Sequence, residues 1–168
     1  EAAAQTQTAL TFIIFTLPLM LLSLVGGTLA DRLSKRTVII AIKIVEALLM
    51  SAGTVALWLN PMGGILPLIV LCGMGVHSAL FSPSKYGILP ELIPHERLAA
   101  GNGLLEMWTF AAILTGTAAG GFLLQTAGGR LWMAPLALAS FSVVGLVAAF
   151  AIPRVLPARA TGGVGSTI

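Results

Sequence analysis

The sequence predicts an all-α membrane protein of about five transmembrane helices. Three observations predict it. Of the 168 residues, 57% are hydrophobic and only 9% are charged, where a soluble domain carries about 25% charged residues. Five apolar stretches approach the roughly 20 residues that a helix needs to cross the hydrocarbon core. The basic residues gather in alternate connections between those stretches, the pattern that sets membrane topology. So few charges cannot cover a water-facing surface, and lipid is the solvent for most of the chain.

Taken in order, the spans are expected at Ala9–Ala30, Thr37–Leu59, Ile65–Phe81, Gly101–Gln125 and Leu131–Ile152. Each must be helical, because lipid offers no partner for backbone N–H and C=O and the stretches lack the two-residue alternation of a barrel. Pro18 lies inside the first stretch and is expected to kink it. Asn60-Pro61-Met62-Gly63-Gly64 separates the second span from the third, Ala127-Gly128-Gly129-Arg130 separates the fourth from the fifth, and Pro153 closes the last.

The first connection holds Arg32, Lys35 and Arg36, the third holds Lys85 and Arg97, and the tail holds Arg154 and Arg159. Only Arg130 lies in a connection on the opposite side, and Lys43 lies within a span. The positive-inside rule then places the N-terminus outside and the C-terminus in the cytoplasm. With that parity, one further helix is expected before Glu1. Residues 1–156 are read as the transmembrane part and 157–168, small and Gly-rich, as a flexible cytoplasmic linker.

Several function classes are excluded at this level. No basic stretch is interleaved with aromatics as a nucleic-acid groove requires. The single cysteine, Cys72, cannot close an internal disulfide. His77 and His95 are too isolated in sequence for a metal site, and no cofactor motif is present. There is no Gly-x-Ser-x-Gly elbow, phosphate-binding loop or acyltransferase His-x4-Asp pair, so any enzymatic activity is expected outside these residues.

Gly27-Thr28-Leu29-Ala30-Asp31-Arg32-Leu33-Ser34-Lys35-Arg36 resembles the major-facilitator signature between helices 2 and 3, with Ser34 replacing a glycine. Gly27 is expected to let a neighbouring helix approach. Asp31 sits at a helix end, where a cation or the positive N-terminus of another helix can meet it. Arg32, Lys35 and Arg36 belong at the cytoplasmic interface. The resemblance implies a partial N-terminal major-facilitator bundle, helices 2 to 6 of the family, and a gating loop that latches one half of the transporter to the other. The residues alone also allow a purely topological role for these charges.

A second motif is more distinctive. It runs His77-Ser78-Ala79-Leu80-Phe81-Ser82-Pro83-Ser84-Lys85-Tyr86-Gly87-Ile88-Leu89-Pro90-Glu91-Leu92 and resumes at Gly101-Asn102-Gly103-Leu104-Leu105-Glu106, with Thr109-Phe110 beyond. Pro83, Lys85, Tyr86, Gly87, Pro90 and Asn102 carry a resemblance to the lysophospholipid transporter family. They also resemble the transporter module fused to acyltransferase and acyl-carrier-protein synthetase domains. What this implies is a secondary transporter in the bacterial inner membrane that moves lysophospholipids, such as lysophosphatidylethanolamine, toward reacylation. The membrane lipid, the remaining helices of the transporter and, in a fusion, the acyltransferase and synthetase domains are the implied partners. A drug or small-solute exporter, and a membrane anchor for an acyltransferase fusion, are the alternatives.

Ionisable residues within spans mark paths or partners. Lys43 and Glu46 lie three residues apart on one helical face. On the fourth span Asn102, Glu106, Thr109, Ile113, Gly116 and Gly120 form one stripe, polar at one end and small at the other. Gly116 and Gly120 are expected at a close helix contact. The expected substrate path comprises Lys43, Glu46, His77, Glu106 and Thr109, with Lys43 toward the lipid phosphate and Glu46 or Glu106 toward the amine. For Lys43 and Glu46 the sequence leaves open a simple pair that neutralises two charges. His77 can titrate near neutral pH, or it can be a packing residue. Lys85 and Tyr86 are read as interfacial anchors in reach of headgroups.

Overall fold

A computed structural model of the protein describes residues 2–153, which are helices and short turns. The expected linker from Pro157 to Ile168, with Arg154 and Arg159, lies outside the described residues. Six α-helices follow one another: α1 Ala2–Arg32, α2 Lys35–Leu59, α3 Ile65–Gly87, the short α4 Leu89–Leu92, α5 Leu98–Thr126 and α6 Met133–Phe150. A 3-10 turn, His95–Arg97, precedes α5. Five segments are long and apolar enough to cross a membrane, and α4 forms the end of the third.

The larger departures from the expected boundaries lie in the first three spans. The connection between the first two spans shrinks to Leu33-Ser34, because α1 runs through Arg32 and α2 begins at Lys35. Helix α1 also starts at Ala2 rather than Ala9 and continues through Pro18. The third span does not stop at Phe81 but runs through Pro83 to Gly87, so Lys85 and Tyr86 occupy a helical turn and not a loop. Proline ends a helix in water chiefly because a carbonyl loses its donor. Here the carbonyl without a donor is that of Ala79, four residues before Pro83, and it faces α1.

That contact explains how α1 lies on α3. A Cβ added to Gly26 would stand 2.3 Å from the Ala79 carbonyl oxygen. A Cβ added to Gly75 would stand 2.2 Å from the Phe15 carbonyl oxygen. The two backbones touch at both places, an approach only glycine permits. Gly27, the expected contact, has nothing within 4 Å of an added Cβ. One residue is about 100° of helix rotation, so the adjacent glycine faces elsewhere.

Helix α2 lies between α3 and α6. Its buried face, Val38, Ile39, Ile42, Gly53 and Ala56, recurs at helical spacing. Gly53 fits between Val70 of α3 and Pro135 of α6. Ile39, Ile88 and Ala149 form the packed centre at the basic end, with Phe81, Leu89 and Ile152 against them. By contrast, none of the 29 residues of α5 is buried. Its backbone packs only sparsely, against α6, α4 and the 3-10 turn, and side chains of α3 reach it at Glu106 and Thr109. Its apolar sides therefore face lipid or other helices.

Gly26→Leu and Gly75→Leu should each separate α1 from α3 and destabilise the full-length protein by about 1–3 kcal/mol, the usual scale of overpacking. Gly27→Ala should be neutral. Thermal unfolding of the three variants in detergent checks this, and equal melting of all three would contradict the packing described.

Candidate functional site

The polar residues form three groups, each placed by a different pair of helices. The first is inside the bundle. Glu46 of α2 accepts a hydrogen bond at Oε2 from Lys43 Nζ at 2.7 Å and at Oε1 from the Ser142 hydroxyl of α6 at 2.9 Å. His77 of α3 brings Nε2 to 3.1 Å from the same Oε2, close enough for an ion pair but without hydrogen-bond geometry. The His77 ring stacks on Phe81 at 5.8 Å, and the Lys43 ammonium lies over Phe81 at 5.1 Å. One carboxylate thus joins α2, α3 and α6. Glu46 and Lys43 are each other's nearest ions, with side chains 17% and 21% exposed. Of the two readings left open, this geometry supports the neutralising pair.

The second group lies on the last turns of α3 and the first half of α5. Lys85 Nζ donates to the Thr109 hydroxyl at 2.7 Å, and that hydroxyl donates to the Leu105 carbonyl at 2.6 Å. The Tyr86 hydroxyl donates to Glu106 Oε1 at 2.5 Å, and the Lys85 ammonium lies 5.3 Å from the Tyr86 ring centre. A cation and an anion therefore stand side by side, each held by a neutral hydroxyl. They do not pair with each other or with any other described ion. Neither charge is neutralised within the group, and Tyr86 is exposed. Lys85 is eight residues from His77, or about 12 Å along α3. The residues expected along one path are thus divided between two places.

The third group is at the basic end. Lys35 forms an ion pair with Glu91 of α4, both largely buried. Its stem crosses Gly87, where an added Cβ would lie 2.9 Å from the Lys35 side chain. Arg36 donates from Nε to the Ile152 carbonyl at 2.6 Å and from its guanidinium to the Phe150 carbonyl at 3.2 Å. It caps α6, where carbonyls have no helical donor. Lys35 and Arg36 are thus engaged inside this bundle. The side chains of Asp31 and Arg32 lie outside the described residues.

The family-motif residues acquire local reasons. Pro83 frees the carbonyl that meets Gly26, Gly87 lets Lys35 pass, and Pro90 sits in the first turn of α4. Asn102 is exposed on α5, four residues before Glu106. Gly116 and Gly120 do not make the expected close contact, since an added Cβ at either would meet nothing within 4 Å. They line an apolar groove of about 550 Å³ between α5 and α6, with Ala112, Ala134, Ala137 and Phe141. Among the described residues α6 stands off from this face of α5 across the groove, so no close helix contact forms there. Ser142 and Glu91 were not singled out in the sequence. Ser142 left a weak signal, as a hydroxyl in the middle of a very apolar span, and Glu91 lay within the second motif.

An all-helical bundle of membrane-crossing segments, with ionisable groups inside it and a charged tie at one end, defines a polytopic membrane protein of the transporter type. The chain belongs to the transmembrane secretion effector family of major facilitators, which it matches over residues 2–160. It is similar to the lysophospholipid transporter LplT of Photorhabdus laumondii, 38% identical over 151 residues, which cover 90% of this chain and 35% of that protein. The lysophospholipid transporter LplT of Salmonella schwarzengrund is 38% identical over 136 residues, 79% of this chain and 30% of its own length. The chain thus spans about a third of the length of these relatives. No solved structure matches it.

If the Glu46 group is a structural tie, Lys43→Met should leave an uncompensated carboxylate and cost up to roughly 3–5 kcal/mol. Lys43→Met combined with Glu46→Leu should recover much of that loss. Thermal unfolding of the full-length protein reads both, and a single variant that melts like wild type would contradict the tie.

Proposed function

We propose that the chain supplies most of the first-half bundle of a secondary transporter that moves lysophospholipids, such as lysophosphatidylethanolamine, across the bacterial inner membrane by alternating access. The observation that carries this reading is the Lys85–Glu106 site. A phosphoethanolamine headgroup bears a phosphate and an ammonium a few bonds apart, and the site offers a cation, Lys85, beside Tyr86, whose hydroxyl holds an anion, Glu106. Lys85 and Thr109 suit the phosphate, and Glu106 with Tyr86 suits the amine. Neither protein charge has to give up an ionic partner to receive the ligand.

The apolar part of the ligand has a place as well. Ala112 is six residues beyond Glu106 on α5, or about 9 Å, and there the groove between α5 and α6 begins. A single acyl chain can follow that groove while its headgroup stays at the charged turn. An amphiphile fits this arrangement better than a compact polar solute does. The LplT relatives share most of the chain and carry the name of lysophospholipid transporters. In this reading the basic end, with Lys35, Arg36 and Lys85, faces the cytoplasm, and rocking of two halves about the site moves the lipid.

Uptake of labelled lysophosphatidylethanolamine by the full-length protein in proteoliposomes tests the proposal. Glu106→Gln and Lys85→Gln should each reduce uptake by about tenfold or more, the scale of a charge-assisted hydrogen bond. Uptake at the wild-type rate in both variants would overturn the headgroup site. Absence of uptake by a folded wild-type protein would overturn the substrate class and favour a small-solute exporter.

A further inference from the structure

Oε2 of Glu46 has two suitors. Lys43 Nζ lies 2.7 Å from it and His77 Nε2 3.1 Å from it. The other carboxylate oxygen is already taken by Ser142. One negative charge can balance only one cation at that oxygen. His77 is buried at 7% exposure, and neither of its ring nitrogens is hydrogen-bonded. Leaving a buried imidazole without a partner is costly, and imidazole is the side chain whose charge changes between about pH 5 and 8.

The surroundings single out this competition. Helix α1, packed on α3, has no titratable residue from Ala2 to Ala30, and α6 has none from Met133 to Phe150. At this level α2 contributes only Lys43 and Glu46, its other charges being the engaged Lys35 and Arg36. On α3 the nearest titratable groups are Cys72, five residues before His77, and Lys85, eight after it. Among the described residues of these four helices, Glu46 is the one acid at this level.

We propose that His77 is a proton-binding site that competes with Lys43 for Glu46. A proton taken up from solvent by the imidazole turns His77 into a cation beside Oε2. The carboxylate then pairs with His77, and Lys43 is released. The group passes from no net charge to one positive charge, with no bond broken other than the Lys43 contact. The added charge is costly in the interior, and Lys43 is the member able to carry it outward. It is the most exposed of the three and has a flexible stem. It also lies beside Gly145, where even an added Cβ would stand 3.5 Å from Nζ. Acid thereby exchanges an ion pair within α2 for one between α2 and α3 and frees a cation inside the bundle. This holds whatever substrate the full-length protein carries.

The test is nuclear magnetic resonance of the full-length protein in lipid with ¹⁵N-labelled histidine and lysine. The signals are assigned by their loss in His77→Gln and Lys43→Gln. Across about pH 8 to pH 5, His77 should gain its second N–H, and the Lys43 ammonium signal should shift in the same titration. In His77→Gln the Lys43 signal should stay constant. A His77 that remains neutral throughout would overturn the proposal, as would a Lys43 signal that does not move while His77 titrates, or one that still moves in His77→Gln. Should either glutamine variant fail to fold, the signals are assigned by selective labelling of the Val76-His77 and Ile42-Lys43 pairs, and the wild-type co-titration decides.

Discussion

The Glu46 carboxylate is the interaction on which the bundle's interior depends. It projects from α2, the helix that lies between α3 and α6, and it meets a group from each of them. A charge in this position is stable only if the same chain supplies its partners, because lipid supplies none. Lys43 provides the counter-charge from the next turn of the same helix, and Ser142 and His77 add contacts from the two neighbours. Around this point the remaining contacts are apolar and small: Gly53 against Val70 and Pro135, and the Ile39–Ile88–Ala149 centre at the basic end.

The same rule, that polar groups inside lipid must be paired, separates the tie from the site. Glu46 has three partners, one of them the cation of Lys43. Glu106 has one neutral hydroxyl, and Lys85 has another. Groups satisfied by hydroxyls alone keep their charge available to a ligand, whereas groups satisfied by each other do not. The backbone arrangement serves this division. Because Pro83 leaves α3 unbroken to Gly87, Lys85 and Tyr86 are presented from a helix toward α5. A loop ending at Phe81 would leave their positions unfixed.

Much of the fold was legible because lipid leaves so few solutions. Apolar length and the Pro and Gly breaks mark five spans, and all five are present. What could not be read was rotation and register. Gly26 and Gly27 are equivalent in composition, yet only Gly26 meets α3, since the choice depends on the position of the Ala79 carbonyl. The extension of α3 past Pro83 depends on the same contact between helices. Within the tie, the Lys43–Glu46 pairing follows from helical spacing alone. Its completion by His77 and Ser142, and the meeting of Lys85 with Thr109, join residues far apart in sequence, and no local pattern encodes them. Gly116-x-x-x-Gly120 had the spacing of a helix contact, but that spacing is shared by any narrow small-residue face, including the wall of a groove.

The central claim is that the headgroup is met by the charges at the α3–α5 turn and not by those within the α2–α3–α6 tie. The most direct measurement is photo-crosslinking of the full-length transporter in membranes with a lysophosphatidylethanolamine analogue that carries the reactive group on its headgroup, followed by mapping of the labelled peptides. Label concentrated between Lys85 and Thr109, and competed away by unlabelled lysophospholipid, is the predicted result. Label concentrated at Lys43, Glu46 and His77, with the Lys85–Thr109 segment unmodified, would contradict it.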